Sequence, residues 1–466
     1  MNDQYRDERL RAMVSRRMML RSGLAGFASI MAGKALAACS PPASPGDSGV
    51  DTGLGDSGSD AMESLDAMSA IDASSAPDVM DATREATTDA ALDAQTMFRP
   101  RMIPPRPMLR SLIADIGPLR ATPDANGLRL PPGFTSRVIA EHDVNVAGTR
   151  YPWHIAPDGG ATFLTEDGGW IYVSNSEQIV SMGGVSGVRF DRDGRITSAY
   201  RILDRTTMNC AGGPTPWHTW LSCEEHGRGR VFECDPWGEQ RAIVRPALGV
   251  FSHEAVTVDT DRWHLYLTED VPDGRLYRFV PDQMTPLGFP DLGRGTLEVA
   301  VVDAMNRVTW RRVPDPLYMG MTPTRSQVPE STAFNGGEGI WYHRGIVYFS
   351  TKGDNRIWAY DANRSTISVL YDASTQPAPA ILTGVDNITV SCCGDVLVSE
   401  DGGSMDVVAI LPGGGLKQLV QVAGQDGSEV TGPAFDPSGT RLYFSSQRSP
   451  AGGTTFEVTG PFHAPA

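Results

Sequence analysis

Short apolar runs that end in a hydroxyl or thiol residue and then in acids recur along this chain. They are Leu164-Thr165-Glu166-Asp167, Leu221-Ser222-Cys223-Glu224-Glu225, Leu267-Thr268-Glu269-Asp270 and Leu397-Val398-Ser399-Glu400-Asp401. Carboxylates are hard oxygen donors, and a repeating fold that returns several of them to one place builds a cation site. Hydroxyls at Ser174, Ser222, Thr268, Ser350, Ser399 and Ser445 end such runs, mostly about 46 to 49 residues apart, which is the repeat length of a propeller blade. The interval from Thr268 to Ser350 is nearly double and is read as holding an insertion rather than a hidden blade.

The donor set restricts the cation. Calcium takes six to eight oxygens, and ferric iron accepts carboxylates with an occasional thiolate. Zinc is disfavoured at such a site, because the chain has 8 His and none stands in a His-x-x-x-His or Glu-x-x-His spacing. Neighbouring side chains on a strand point to opposite faces, so at most one acid of each pair faces a common site. The first acid of the pairs Glu269-Asp270 and Glu400-Asp401 is taken as the ligand and the second as a turn cap. Glu166-Asp167 precedes Gly168-Gly169 and reads as a solvated hairpin turn.

The elements that must position these acids are strands. Strand signals are dense beyond about residue 110, at 136–140, 170–174, 187–190, 231–234, 255–259, 265–268, 275–280, 346–351, 356–360, 395–399 and 441–445. Turn residues such as Asp191, Asp259, Asp361 and Asp436 separate them. With Gly 50 and Pro 34 and no long helical periodicity past the N-terminus, the class is all-β. The expected architecture is a β-propeller of six four-stranded blades around a channel, with residues 281–329, rich in arginine, as an inserted lobe beside its mouth.

A net charge of -16 argues against nucleic acid as a partner. Residues 1–39 read as an address: Ser15-Arg16-Arg17-Met18-Met19-Leu20 resembles a twin-arginine export signal, and Leu36-Ala37-Ala38-Cys39 reads as a lipobox with Cys39 lipidated. The alternative is plain signal cleavage near Ala38, with Cys39 incidental. Residues 40–98 are Ser, Asp, Ala, Thr and Gly with almost no aromatics, a composition that cannot bury enough apolar surface to offset ordering, and so read as an acidic disordered tether. The folded domain is then 99–466. Expected localisation is the periplasm or cell surface, with a membrane partner only through the lipid and a monomeric state.

The stretch from Asn209-Cys210-Ala211-Gly212-Gly213-Pro214-Thr215-Pro216-Trp217 through Cys223-Glu224-Glu225 is the most specific in the chain. It is followed in order by Ser252-His253-Glu254-Ala255, Gly337-Glu338-Gly339, Ser350-Thr351-Lys352-Gly353-Asp354, Val385-Asp386-Asn387 and Ser399-Glu400-Asp401. This order resembles the PhoX-type alkaline phosphatases and their uncharacterised relatives, over about residues 125–450. The resemblance implies a propeller with calcium and ferric iron at its mouth that hydrolyses small-molecule phosphate monoesters. It implies Cys223 as the iron thiolate and Glu224, Glu225, Glu254, Glu338, Asp386 and Glu400 as carboxylate ligands, with Glu269 and Asp270 as further candidates. One departure stands out: where the family tends to have Asn-His-Glu, this chain has Asn175-Ser176-Glu177, which leaves Glu177 as a ligand without a histidine neighbour. Lys352 and Arg278 are the candidates to hold phosphate oxygens.

Each of these residues has a plainer reading. Exported proteins form disulfides, and Cys210, Cys223, Cys234, Cys392 and Cys393 leave several pairings open. Cys392 and Cys393 are taken as packing residues or as partners for Cys210 or Cys234. His253 is expected to orient or underlie Glu254, and Trp217, Trp220, Trp341 and Trp358 to pack within blades. Two other functions stay open: a calcium-dependent lactonase or esterase, and a non-catalytic calcium-binding surface lipoprotein.

Overall fold

A computed structural model describes Phe98, Arg99 and residues 101–466. Residues 1–39, read as an export signal with a lipidated Cys39, and residues 40–97, read as an acidic tether, therefore lie outside the described residues. Among the described residues the strands form six antiparallel blades and one extra two-stranded ribbon. No described helix is long and apolar enough to cross a membrane.

The first strands of the blades, Pro157–Leu164, Asn209–Pro214, His253–Val258, Gly337–His343, Val385–Val390 and Val430–Phe435, pack against one another around the central channel. The second strands carry the repeating hydroxyls, all buried: Ser174, Ser222, Thr268, Ser350, Ser399 and Ser445. Several of these hydroxyls reach across to a neighbouring inner strand. Thr268 Oγ1 donates to the Glu338 carbonyl at 2.5 Å, and Ser350 Oγ donates to the Asp386 carbonyl at 2.5 Å. The sequence repeat is thus a fastening between blades as well as a strand ending.

Apolar clusters fill the wedges between blades, such as Leu221, Val231, Phe251, Leu267, Tyr277 and Phe279 between the second and third. Asp191, Asp259, Asp361 and Asp436 cap hairpin turns by accepting backbone N–H groups, as their sequence positions imply. Trp170 stacks on Phe190 at 5.3 Å, and Trp358 stacks on Phe349 at 6.2 Å within its blade. The long interval after Thr268 adds no seventh blade. Its strands Gly295–Val302 and Val308–Arg312 bring the third blade to five, so the expected lobe over 281–329 is irregular only in the loop before them and the stretch beyond them.

Ring closure joins distant parts of the chain. Thr135–Glu141 pairs with Thr454–Thr459 to complete the sixth blade, and Leu128–Arg129 adds to the edge of the fifth. At the ends, Leu109–Ser111 pairs with His463–Pro465.

Glycines admit the close approach of inner strands. A Cβ on Gly339 would stand 2.3 Å from the Ile388 nitrogen and 2.7 Å from the Asn387 Cα, both backbone atoms that cannot swing away. Gly339→Ala is therefore expected to lower stability by about 3 kcal/mol. Gly413→Ala, where a Cβ meets nothing within 4 Å, is expected to be neutral. Equal melting temperatures for the two variants would contradict this account of the channel wall.

Candidate metal centre

Every inner strand carries a β-bulge near its start. The register with the second strand shifts after Pro157, Asn209, His253, Gly337 and Val385, and one residue later, after Thr431, in the sixth blade. Such a bulge frees a residue from the ladder and re-aims its side chain. The residue following the opening position is Asp158, Cys210, Glu254, Glu338, Asp386 and Thr431 in the six blades. The residue just after each second strand lies beside it: Glu177, Glu225, Asp270, Lys352, Asp401 and Gln447. Two rings of functional side chains thus stack at one mouth of the channel.

Contacts within the rings are close. Ligand atoms of Cys210, Glu225 and Glu254 lie within 4.8 Å of one another, as do those of Glu254, Glu338 and Asp386, of Asp158, Glu177 and Glu429, and of Asp386, Asp401 and Glu429. Cys210 Sγ sits 3.3 Å from Asp158 Oδ2, and Gln447 Nε2 donates to the same oxygen at 2.5 Å. Thr431 turns its hydroxyl to the Pro157 carbonyl, tying the sixth blade to the first. Asn175 Nδ2 donates to the carbonyls of Cys210 and Ala211, which fixes the thiol-bearing strand. Ser176 donates to the Ile155 carbonyl and leaves Glu177 in the cluster.

Two cations face this acidity. Lys352 Nζ lies 2.6 Å from Glu338, 3.3 Å from Asp401 and 3.6 Å from Asp386, with 31 % of its side chain exposed. Arg448 contacts Glu429 at 2.8 Å and Glu177 at 3.2 Å. Burial opposes the ammonium charge of Lys352, but Glu338, Asp386, Asp401 and Asp270 outweigh it and hold that charge well above the ordinary lysine range. These cations do not balance the acids. Burial, then Glu177 and Asp386, push Asp158 up to about 8; burial, with Asp401 among the repelling neighbours, pushes Asp386 up to about 6. Glu254 rises well above the carboxylate range through burial and then Glu338, Asp386 and Glu225. Both Glu254 oxygens are buried without a hydrogen-bond partner, although nearly all buried polar groups in proteins find one. Hard oxygen donors with a missing positive partner fit a multivalent cation.

The structure sorts the residues inferred from sequence. Glu177, Glu225, Glu254, Glu338, Asp386 and Lys352 come together. Cys223 does not: it is fully buried in the apolar wedge between blades, and Cys210 is the thiol at the rings. Glu224, Glu269 and Glu400 end their second strands and turn away from the channel. Glu224 accepts from the Thr207 and Arg230 nitrogens, Glu269 from the Tyr277 hydroxyl, and Glu400 from the nitrogens of Thr383, Ser404 and Asp406. In each pair the second acid, Glu225, Asp270 or Asp401, is the one beside the inner ring. Arg278 pairs with Glu298 at 2.5 Å and covers Trp310 in the third blade, away from the rings. The arginine beside the rings is Arg448 instead. His253 stacks on Phe251 at 3.6 Å beneath the ring strand, and its Nε2 contacts the Gly249 carbonyl.

Asp158, Cys210, Asp401, Glu429 and Arg448 were not singled out from the sequence as part of the site. Asp158 and Cys210 share the position after the opening residue of an inner strand with Glu254, Glu338 and Asp386, so aligning the six inner strands would have found them. Glu429 and Arg448 have no counterpart in that alignment. The described cysteines, Cys210, Cys223, Cys234, Cys392 and Cys393, are all free thiols.

Comparison with known proteins places these features in context. The description "Alkaline phosphatase PhoX" belongs to the family profile that matches residues 183–450. Among solved structures, the fold is similar to Pseudomonas fluorescens PhoX in complex with vanadate, a transition state analogue. The TM-score is 0.60 at 17% identity, over 74% of this chain and 98% of that chain. A gluconolactonase, XC5397 from Xanthomonas campestris, aligns at a TM-score of 0.40 and 14% identity, over 77% of this chain and 99% of that one. No curated protein matches in sequence.

The raised carboxyls predict how stability varies with pH once cations are removed. An unfolded aspartate takes up its proton only near pH 4, whereas the folded Asp158 and Asp386 do so at about 8 and about 6. Between these values the folded state binds more protons, so its stability falls as pH rises. In chelator-treated protein the melting temperature is expected to climb as pH is lowered from about 8 to about 5, and added calcium at about pH 8 to restore it. A flat profile in the chelated protein would contradict the assignment.

Proposed function

On the premise that the chain belongs to the PhoX alkaline phosphatase family and is a phosphatase hydrolase, we propose that it hydrolyses phosphate monoesters at calcium and ferric ions held in the two carboxylate rings. The observation that carries the reading is Glu254, a fully buried carboxylate with both oxygens unpartnered among like charges. A structural core has no use for such a group, because an isolated buried charge costs several kcal/mol, on the order of the stability of a domain.

Cys210, Glu225 and Glu254 form the donor set suited to ferric iron, since it joins a thiol to carboxylates. Asp158, Glu177 and Glu429, and likewise Asp386 with Asp401, offer oxygen only and suit calcium. Such cations, when bound, supply Lewis-acid stabilisation of the charge on the transferring phosphoryl group. The chain's own residues do the rest. Lys352 and Arg448 are partly exposed at the rim, with 31% and 49% of their side chains open, and can donate to phosphate oxygens as an ester enters. The carboxylates beside them hold both cations charged at alkaline pH. Asn175, through its hydrogen bonds to the Cys210 and Ala211 carbonyls, keeps the thiol-bearing strand in place.

Export by the twin-arginine route, lipidation at Cys39 and a surface or periplasmic location complete the proposal. Twin-arginine signals serve folded proteins, and a folded ring is what would retain a buried cation during export. An acidic tether between residues 40 and 98, its like charges favouring extension, would then hold the enzyme away from the membrane surface.

Elemental analysis of the purified protein, with turnover of a chromogenic phosphate ester in added calcium, tests the reading. Iron with calcium and turnover is expected. Calcium without iron and without turnover would favour a lactonase or a binding protein instead. Cys210→Ala is expected to lose iron and reduce turnover at least about a hundredfold, on the scale of losing one electrostatic stabiliser. Cys223→Ala, a packing change, is expected to keep both; the reverse pattern would refute the assignment of the thiol.

A further inference from the structure

Each inner strand begins at the carboxylate rings and ends at the other mouth of the channel, so residues that follow these strands face away from the proposed catalytic centre. Val385–Val390 leads into the turn at 391–394, which carries Cys392 and Cys393. Beside this turn is the ribbon in which Leu109–Ser111 pairs with His463–Pro465. A cavity of about 140 Å³ at this mouth is lined by Cys392, His463, Arg106 and Leu109 among others.

Three donors meet there. One ligand atom from each of Cys392, Cys393 and His463 lies within 4.8 Å of the other two. The two sulfurs are 3.5 Å apart and unbonded. Two thiolates on one tetrahedral zinc, each with a bond of about 2.3 Å, would stand about 3.8 Å apart, so little movement is needed. His463 supplies an independent sign. It is 4% exposed, and its Nδ1 lies 2.9 Å from the Gly439 carbonyl. A carbonyl only accepts, so Nδ1 carries the proton and Nε2 keeps its lone pair. That Nε2 is buried and has no hydrogen-bond partner. A backbone carbonyl that fixes the tautomer and leaves the other nitrogen a buried, unshared lone pair, on an imidazole with a ring nitrogen within 4.8 Å of two sulfurs, is the arrangement that prepares a histidine for a metal.

We propose that Cys392, Cys393 and His463 form a second cation site, for a zinc-class d10 ion, that staples the strand His463–Pro465 to the fifth blade. Soft sulfur and imidazole donors separate it chemically from the hard oxygen rings at the opposite mouth. Binding displaces one proton from each thiol, including the one Cys393 shares with the Leu109 carbonyl, and forms two metal–sulfur bonds and one metal–nitrogen bond. A fourth position then remains for water from the cavity. The ligands come from the turn after the inner strand of the fifth blade and from the strand that follows the sixth, so the ion ties these neighbouring segments together.

The test uses the full-length protein, reduced and saturated with calcium to fill the oxygen sites, then titrated with cobalt(II) in place of zinc. One equivalent with a sulfur-to-cobalt charge-transfer band is expected, reversed by zinc. The band should vanish in Cys392→Ser/Cys393→Ser, bind cobalt about tenfold or more weakly in His463→Gln, and persist in Cys210→Ser. Absence of the band from the wild-type protein, or its survival in the double variant, would overturn the proposal. Should the double variant not fold, alkylation of wild-type protein with mapping by mass spectrometry decides the matter. Protection of Cys392 and Cys393 by zinc supports the site, and equal labelling with and without zinc refutes it.

Discussion

Mutual repulsion among buried carboxylates at one end of the channel is the interaction around which this molecule is organised. Asp158, Glu177, Glu225, Glu254, Glu338, Asp386 and Glu429 all have their acid forms favoured by burial and by one or more neighbouring acids. Charges at such distances interact several times more strongly in a protein interior than in water. Only a scaffold with a large reserve of favourable packing tolerates this. The apolar wedges between blades provide it, and they are shared by consecutive blades so that no blade can relax alone.

The same constraint explains the fastening of the inner strands. Residues that repel one another move apart unless their backbones are fixed. Thr268 and Ser350 bond the carbonyls of Glu338 and Asp386, Asn175 bonds those of Cys210 and Ala211, and Thr431 bonds that of Pro157. These are ties from one blade to its neighbour. They hold donors where a cation is stabilised most strongly, at the cost of an apo state that is electrostatically poor. Binding and folding are therefore linked, since whatever neutralises the rings stabilises the propeller.

The two mouths of the channel have opposite characters. One gathers oxygen donors from the bulges at the start of the inner strands. The other gathers the ribbon of Leu109–Ser111 with His463–Pro465, a vicinal pair of thiols and a histidine with a buried lone pair. The ring is closed by non-covalent pairing of Thr135–Glu141 with Thr454–Thr459, so opening it strips the outer strand from the sixth blade. The ribbon of Leu109–Ser111 with His463–Pro465 lies next to it and draws both ends together.

Much of the architecture was legible in the sequence, because strand length, turn residues and the period of the hydroxyls are local properties. Ser174, Ser222, Thr268, Ser350, Ser399 and Ser445 each fall on the second strand of a blade, and together they set blade number and class. That acids at the strand ends gather around a common axis was also legible, as was the rule that neighbours on a strand face opposite ways. Which acid of each pair faces inward was not. Glu269 and Asp270 are equivalent in composition, and the choice depends on the ladder register against an inner strand that is bulged, a relation between segments. The thiol is a second instance: Cys210 and Cys223 lie in one motif, and only the bulge after Asn209 puts the former at the rings while the flat strand Trp220–Glu224 sends the latter into the apolar wedge. Local sequence sets the period and the available donors, while side-chain direction at a bulge, and the meeting of Cys392 and Cys393 with His463, are decided only when separate segments pack together.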